Sequence, residues 1–274
     1  MDKQEYVLNL CRSAKDASRV VGRTPSVKRD RILASIAAGL RGNTKPILAA
    51  NALDLEAGRA SGLSSAMLDR LMLDEGRIEK IARAVEEIMT LQDPVGGIEK
   101  MKLRPSGIRV GQMRVPVGVV AVIYESRPNV TVDIAALCIK SGNAAVLRGG
   151  KESINSNKAL YAVIRSSVEK EGVSGDIVRL VEDTDRELLS ILLKQDKFID
   201  IVIPRGGRGL IDAVTEQSRI PVIKHDKGVC HTFIDASAEK DMAERISVNA
   251  KVSRPGVCNA METLLVHKDY PYAK

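Results

Sequence analysis

The sequence predicts an α/β protein, an open parallel sheet with helices on both faces, preceded by a helical amino-terminal part. Three observations lead to this fold class. From Val117 onward, short apolar runs alternate with longer stretches of helical spacing, the pattern of strands buried on both faces and joined by helical crossovers. Before that, apolar residues recur at steps of three and four. Glycine-rich basic turns follow several of the apolar runs, where strand ends of such sheets gather ligands.

The elements follow in order. Tyr6, Leu10, Ala14 and Ala17 lie on one helical face, as do Ile32, Ile36 and Leu40, and then Ile78, Ile81, Val85 and Ile88. Gly22, Gly42, Gly62 and Gly76 punctuate these helices. Ile98 to Val115 changes to short alternating segments around Pro105, Ser106 and Gly107, as in a two-stranded ribbon, which on sequence alone is equally a surface hairpin or an oligomerisation element. Four strand-helix pairs come next: Val117 to Ile123 with Val132 to Ile139, Ala144 to Leu147 with Asn157 to Val168, Ile177 to Val181 with Leu188 to Leu193, and Ile199 to Ile203 with Leu210 to Val214. A last apolar strand is expected from Thr263 to Val266, where Leu264, Leu265 and Val266 would need neighbours to cover them.

Composition narrows the function. The 274 residues are 44% hydrophobic and 28% charged, ordinary for a globular protein. A net charge of +7 suits anionic ligands, but 3% aromatic residues and no Trp leave little for stacking on bases, so small phosphorylated ligands fit better than nucleic acid. No apolar run has the length of a membrane span, and Asp2, Lys3, Glu5, Arg12, Lys15 and Asp16 break up the first twenty residues, unlike a secretory signal. A cytoplasmic protein is expected. Cys11, Cys138, Cys230 and Cys258 lack the paired spacing of a zinc site, so reduced thiols and no metal are expected.

The segment RPGVCNAMETLLVH places Cys258 between a Pro-Gly turn and an apolar strand. A thiol at such a turn can attack an electrophilic carbonyl when nearby amides and cations stabilise its thiolate. Taken alone, a single cysteine is more often buried and inert. Arg148, Gly149, Gly150, Lys151 and Glu152 follow one predicted strand, and Pro204, Arg205, Gly206, Gly207, Arg208 and Gly209 follow another and precede a helix. Both loops offer close backbone approach and positive charge to an anion. Neither is a GxGxxG fingerprint, and the Arg148 loop taken alone reads more safely as a glycine turn with solvated charges. Asn129, in SRPN, reads as a turn residue or a cap for a helix beginning near Thr131.

Taken together, RVPVGVVAVIYESRPNVTVD, CIKSGNAAVLRGGKES, VIPRGGRGLI, KHDKGVCHTFID and RPGVCNAMETLLVH resemble, in the same order, the γ-glutamyl phosphate reductase branch of the aldehyde dehydrogenase superfamily. The resemblance covers essentially the whole chain. It implies amino-terminal helices of a cofactor domain over residues 1–97, an oligomerisation-type hairpin over 98–116, a cofactor-binding α/β domain over 117–235, and the opening of a catalytic domain over 236–274. The family continues well past this point, so the chain is expected to be a truncated member with an incomplete catalytic domain.

The resemblance also implies the chemistry: Cys258 as nucleophile, Asn129 as donor to the oxyanion, and Arg148, Gly149, Lys151, Glu152, Arg205, Gly206 and Gly207 around NADPH. Arg127 and Arg254, each within four residues of a proposed catalytic position, are candidates for the substrate's anionic groups, and equally for solvated or structural arginines. The implied reaction is NADPH-dependent reduction of L-glutamate 5-phosphate to L-glutamate 5-semialdehyde and phosphate, in proline biosynthesis. A homo-oligomer is implied at full length, with glutamate 5-kinase as functional partner. Oxidising aldehyde dehydrogenases carry a glutamate that activates water, whereas the matching stretch IKHDKGVCHTF has none. His225 and Asp226 within it are alternative bases, and His231 is either structural or functional. Two rival readings remain: an aldehyde dehydrogenase that hydrolyses its acyl-enzyme to a free acid, and a catalytically silent anion-binding fragment.

Overall fold

The computed structural model describes residues 2–224, 228–255 and 257–273. The chain divides into two compact units, Met1–Lys224 and His225–Lys274. Each is described by itself.

The first unit begins with five helices: α1 (Lys3–Val21), α2 (Ser26–Gly42), α3 (Thr44–Ala60), α4 (Ser65–Leu71) and α5 (Glu75–Thr90). Their starts are chemically marked. Asp2, Ser64 and Asp74 each accept a backbone N–H of the first turn of α1, α4 and α5, which satisfies donors a helix leaves open. The apolar faces read from the sequence are the buried ones: Leu10, Ala14 and Ala17 on α1, Ile32, Ile36 and Leu40 on α2, and Ile78, Ile81 and Val85 on α5. Strands β1 (Ile98–Leu103) and β2 (Arg109–Met113) then form an antiparallel ribbon that is exposed along its whole length. The turn carries Gly107 at φ 82°, a conformation that costs an L side chain more than glycine.

The sheet comprises β3 (Val119–Tyr124), β4 (Ala144–Arg148), β5 (Val178–Leu180) and β6 (Ile201–Arg205), all parallel and ordered β5-β4-β3-β6. Helices α6 (Asn129–Lys140), α7 (Ile154–Lys170), α8 (Arg186–Leu192) and α9 (Arg208–Gln217) connect or follow the strands. Every residue of β3 is buried, as befits a central strand covered on both faces. The order reverses at β3: β4 and β5 extend the sheet on one side, and β6 lies on the other. That switch point lies at the carboxyl ends of β3 and β6, the usual ligand position in open α/β sheets. Helix α6 starts at Asn129, two residues before the expected Thr131, so Asn129 belongs to the helix's first turn and does not cap it.

A buried polar knot fixes α3 to the start of α7 and to the segment between α4 and α5. Asp54 on α3, only 2% exposed, accepts the backbone N–H groups of Asn155 and Ser156 at 3.1 and 2.8 Å, together with their side chains at 2.8 and 2.6 Å. A carboxylate at the N-terminus of α7 satisfies its open amides and complements its dipole. One turn earlier, Asn51 donates to the carbonyl of Leu71 at 2.9 Å and accepts the N–H of Leu73 at 2.8 Å. No helix among the described residues is long and apolar enough to cross a membrane.

The second unit contains β7 (Cys230–Ile234), α10 (Lys240–Val252) and β8 (Met261–Val266), with β7 and β8 paired in parallel. Phe233, Leu264, Leu265 and Val266 are at least 40% exposed on this two-stranded pair.

Replacing Asp54 by Ala leaves the α7 amides and hydroxyl without an acceptor in a dry site. The expected loss is about 3 kcal/mol of unfolding free energy, read by urea denaturation of the first unit.

Candidate active site

Three loops meet at the carboxyl edge of the sheet, and two carboxylates join them. Glu125, just past β3, accepts the N–H of Gly207 at 2.9 Å, at the N-terminus of α9. Its own N–H donates to the carbonyl of Arg205 at 3.2 Å. Glu152, past β4, accepts the N–H of Ser126 at 3.2 Å and the Ser126 hydroxyl. The loop Glu125 to Asn129 is therefore held on one side by the Arg148 loop and on the other by the Arg205 loop. Nine residues singled out from the sequence share this edge: Arg127, Asn129, Arg148, Gly149, Lys151, Glu152, Arg205, Gly206 and Gly207.

The Arg148 loop has little freedom. A Cβ on Gly149 would run into the side-chain amide of Asn157 and the ring of Tyr124, so only glycine fits there. Behind it lies a buried chain of polar contacts: Tyr124 and Thr131 share a hydrogen bond of 2.6 Å, Thr131 donates to Asn157 at 3.0 Å, and Asn157 donates to Ser153 at 3.0 Å. Burial drives the Tyr124 phenol upward and keeps it neutral. Arg148 is half-buried, and desolvation lowers its pKa, partly offset by Glu152. Its Nη2 donates to the Thr184 carbonyl at 3.2 Å, while its buried Nε has no hydrogen-bond partner. A cavity of about 670 Å³ opens beside that carbonyl, lined by Lys3, Tyr6, Lys158, Glu182 and Thr184 among others. Lys151 is exposed.

The loop Pro204 to Gly209 was expected to offer open amides to an anion. In the structure the Gly207 amide already holds the Glu125 carboxylate, so a ligand phosphate arriving there must share or displace it. Arg205 is exposed, and so is Arg127. Asn129, on the first turn of α6, donates through Nδ2 to Asp133 Oδ2 at 2.8 Å. Burial raises the Asp133 carboxyl, with the Asn129 hydrogen bond and the Arg205 charge opposing that rise.

Cys258 and Arg254 lie in the second unit, between α10 and β8. The turn is closed by Val257 N–H to Arg254 O at 3.2 Å and by Ala260 N–H to Val257 O at 3.1 Å. Cys258 is exposed, and its carbonyl accepts the Cys230 thiol at 3.5 Å. Arg254 is exposed. The other cysteines differ: Cys11 and Cys138 are buried, and burial pushes both thiols up to about 12, while Cys230 is half-buried. His231 faces solvent with Nδ1 donating to the Val229 carbonyl at 2.8 Å, a local contact. His225 and Asp226 fall outside the described residues.

Sequence reasoning missed Glu125, Ser126 and Asp133. The spacing of Asn129 and Asp133, one helical turn apart, was a signal for the last. Nothing in the sequence pairs Glu125 with Gly207, which are 82 residues apart.

The parallel sheet, with its strand order reversing at β3 and glycine loops at the carboxyl ends of its strands, defines an open α/β fold. The chain belongs to the aldehyde dehydrogenase family, whose model matches residues 1–272. It is 51% identical to a γ-glutamyl phosphate reductase of Geobacter metallireducens over 265 residues, 97% of this chain and 63% of that protein. It is 48% identical to one from Clostridium tetani, over 98% of this chain and 63% of that protein. The crystal structure of γ-glutamyl phosphate reductase from Thermotoga maritima matches with a TM-score of 0.91 at 38% identity, covering 96% of this chain and 63% of that one. An acetylating aldehyde dehydrogenase from Geobacillus thermoglucosidasius, at 19% identity and a TM-score of 0.68, shares the fold. The chain thus spans just under two thirds of the length of the curated relatives it matches.

Alkylation distinguishes the four thiols. Iodoacetamide at neutral pH, followed by peptide mass spectrometry, is expected to modify Cys258 in the native protein and Cys11 and Cys138 only after denaturant is added. Native labelling of Cys11 at the Cys258 rate would contradict the burial described.

Proposed function

We propose that an enzyme carrying this chain reduces L-glutamate 5-phosphate to L-glutamate 5-semialdehyde, releasing phosphate. The observation that carries this reading is the exposed Cys258 in a chain about half identical, along nearly all its length, to proteins named for that reaction. The Cys258 thiolate attacks the acyl carbon, phosphate leaves, and a thioester forms on Sγ. The side-chain amide of Asn129 donates to the oxygen that gains charge, a contribution of roughly 3 kcal/mol for such donors. Collapse of the reduced adduct releases the aldehyde and restores the thiolate. The glutamate that would activate water is absent from IKHDKGVCHTF, which favours phosphate over water as the acyl group's partner in the reverse direction.

NADPH supplies the hydride. The features that fit it are the glycine cradle at Gly149, the orphaned Arg148 Nε and the 670 Å³ cavity beside Thr184. Arg148, Gly149, Lys151 and Glu152 would hold one portion, and Arg205, Gly206 and Gly207 the phosphates near the α9 N-terminus. Arg127 and Arg254 are assigned to the anionic groups of the substrate. The β1–β2 ribbon, with Ile98, Met101, Leu103, Val110 and Met113 all exposed, is assigned to contact with a second copy.

Two outcomes are expected. In an enzyme of the relatives' full length that carries this sequence, Cys258→Ala abolishes phosphate-dependent reduction of NADP by the semialdehyde, followed at the absorbance of the reduced nicotinamide. Turnover in which water replaces phosphate as acceptor would point instead to the acid-forming reaction. Separately, Glu125→Gln removes a negative charge from the α9 N-terminus and is expected to tighten NADPH binding about threefold, measured by fluorescence titration.

A further inference from the structure

Next to Asn129, within the first unit, lies a cavity of about 260 Å³ with Arg70, Arg77, Lys80, Ile81 and Asp133 also on its wall. It is distinct from the glycine loops and from the larger cavity beside Thr184. Its charges are mixed. Arg77 is committed locally, donating to the Met72 carbonyl at 2.9 Å and pairing with Asp69 at 2.6 Å. Arg70 and Lys80 are exposed, and their side chains have no hydrogen bond or ion pair among the described residues. Asp133 is half-buried and takes one donor, from Asn129.

A simple anion in this cavity would meet the repulsion of Asp133, and a simple cation that of Arg70 and Lys80. A ligand with an ammonium and a carboxylate on one carbon satisfies both signs, and Met72, Ile81 and Ala84 offer apolar surface to methylene groups. Asn129 and Asp133 stand one helical turn apart on α6 and both line this cavity, so one ligand can meet both. Burial gives Asp133 a further reason to take a cationic partner, since its charged form is otherwise poorly solvated.

We propose that this cavity recognises the α-amino acid end of the substrate, Asp133 receiving the ammonium group and Lys80 with Arg70 the α-carboxylate. The assignment rests on the reading of function above, with Asn129 at the acyl oxygen. It makes these three residues the source of selectivity for an amino-acid aldehyde over a plain one.

The test compares L-glutamate 5-semialdehyde with 5-oxopentanoate, which lacks the amino group, in the full-length enzyme carrying this sequence. The readout is the ratio of the two kcat/KM values. Asp133→Asn is expected to collapse that ratio by about 100-fold, because it removes the charge facing the ammonium. Lys80→Met, at an exposed position where folding is not at stake, is expected to raise KM for both aldehydes, since both carry the carboxylate. Should Asp133→Asn slow both aldehydes equally, the residue acts only by orienting Asn129 and the pocket assignment is overturned. An unchanged KM in Lys80→Met would overturn the carboxylate contact. A wild-type enzyme with no phosphate-dependent turnover of the semialdehyde would remove the functional reading itself, an outcome separate from either.

Discussion

The carboxylate of Asp54 is the interaction on which the ligand-bearing edge of the sheet depends. It is buried on α3 and collects four donors from Asn155 and Ser156, at the point where the chain leaves the Arg148 loop and enters α7. An ion in so dry a place is tolerable only when its lone pairs are filled. Once filled, it locks the start of α7 to the amino-terminal helices. The position of Gly149, pressed against Asn157 and Tyr124, follows from that lock. The first ninety residues therefore do more than cover a face of the sheet. They set the height of the loop assigned to the cofactor.

Two further carboxylates extend the same logic toward the switch point. Glu152 ties the Arg148 loop to Ser126, and Glu125 ties the end of β3 to the start of α9. Each uses a negative side chain where a bound phosphate would also be welcome, at backbone amides with positive potential. The protein satisfies those amides with its own side chains. A ligand phosphate thus gains less than the bare helix N-terminus would suggest, and the net basic charge of the chain helps to offset the difference.

The two reactive candidates stand on different kinds of support. Asn129 is placed by a helix start and by a hydrogen bond within α6, so its amide has a defined direction. Cys258 sits on a turn held by Val257 N–H to the Arg254 carbonyl and Ala260 N–H to the Val257 carbonyl, in a small unit whose parallel strand pair leaves Phe233 and the Leu264 to Val266 edge exposed. A two-stranded pair has little stability of its own.

Much of the fold was legible from spacing alone. Steps of three and four marked the buried faces of α1, α2 and α5, and unbroken apolar runs marked β3 and β4, because local periodicity and two-sided burial leave their print on consecutive residues. The thiol worth testing was legible too, from its turn and from the resemblance of the surrounding blocks. What the sequence by itself determined is the class of fold, the family and the identity of Cys258, Asn129 and the two glycine loops as the positions to examine. Only the tertiary structure decided that Glu125 fills the α9 N-terminus, that Asp54 holds the start of α7 from a hundred residues away, and that Arg70 and Lys80 share a cavity with Asp133. The reason is physical. Charge pairing and cavity shape depend on which distant side chains the packed helices bring within a few ångströms, and no periodicity along the chain encodes that distance.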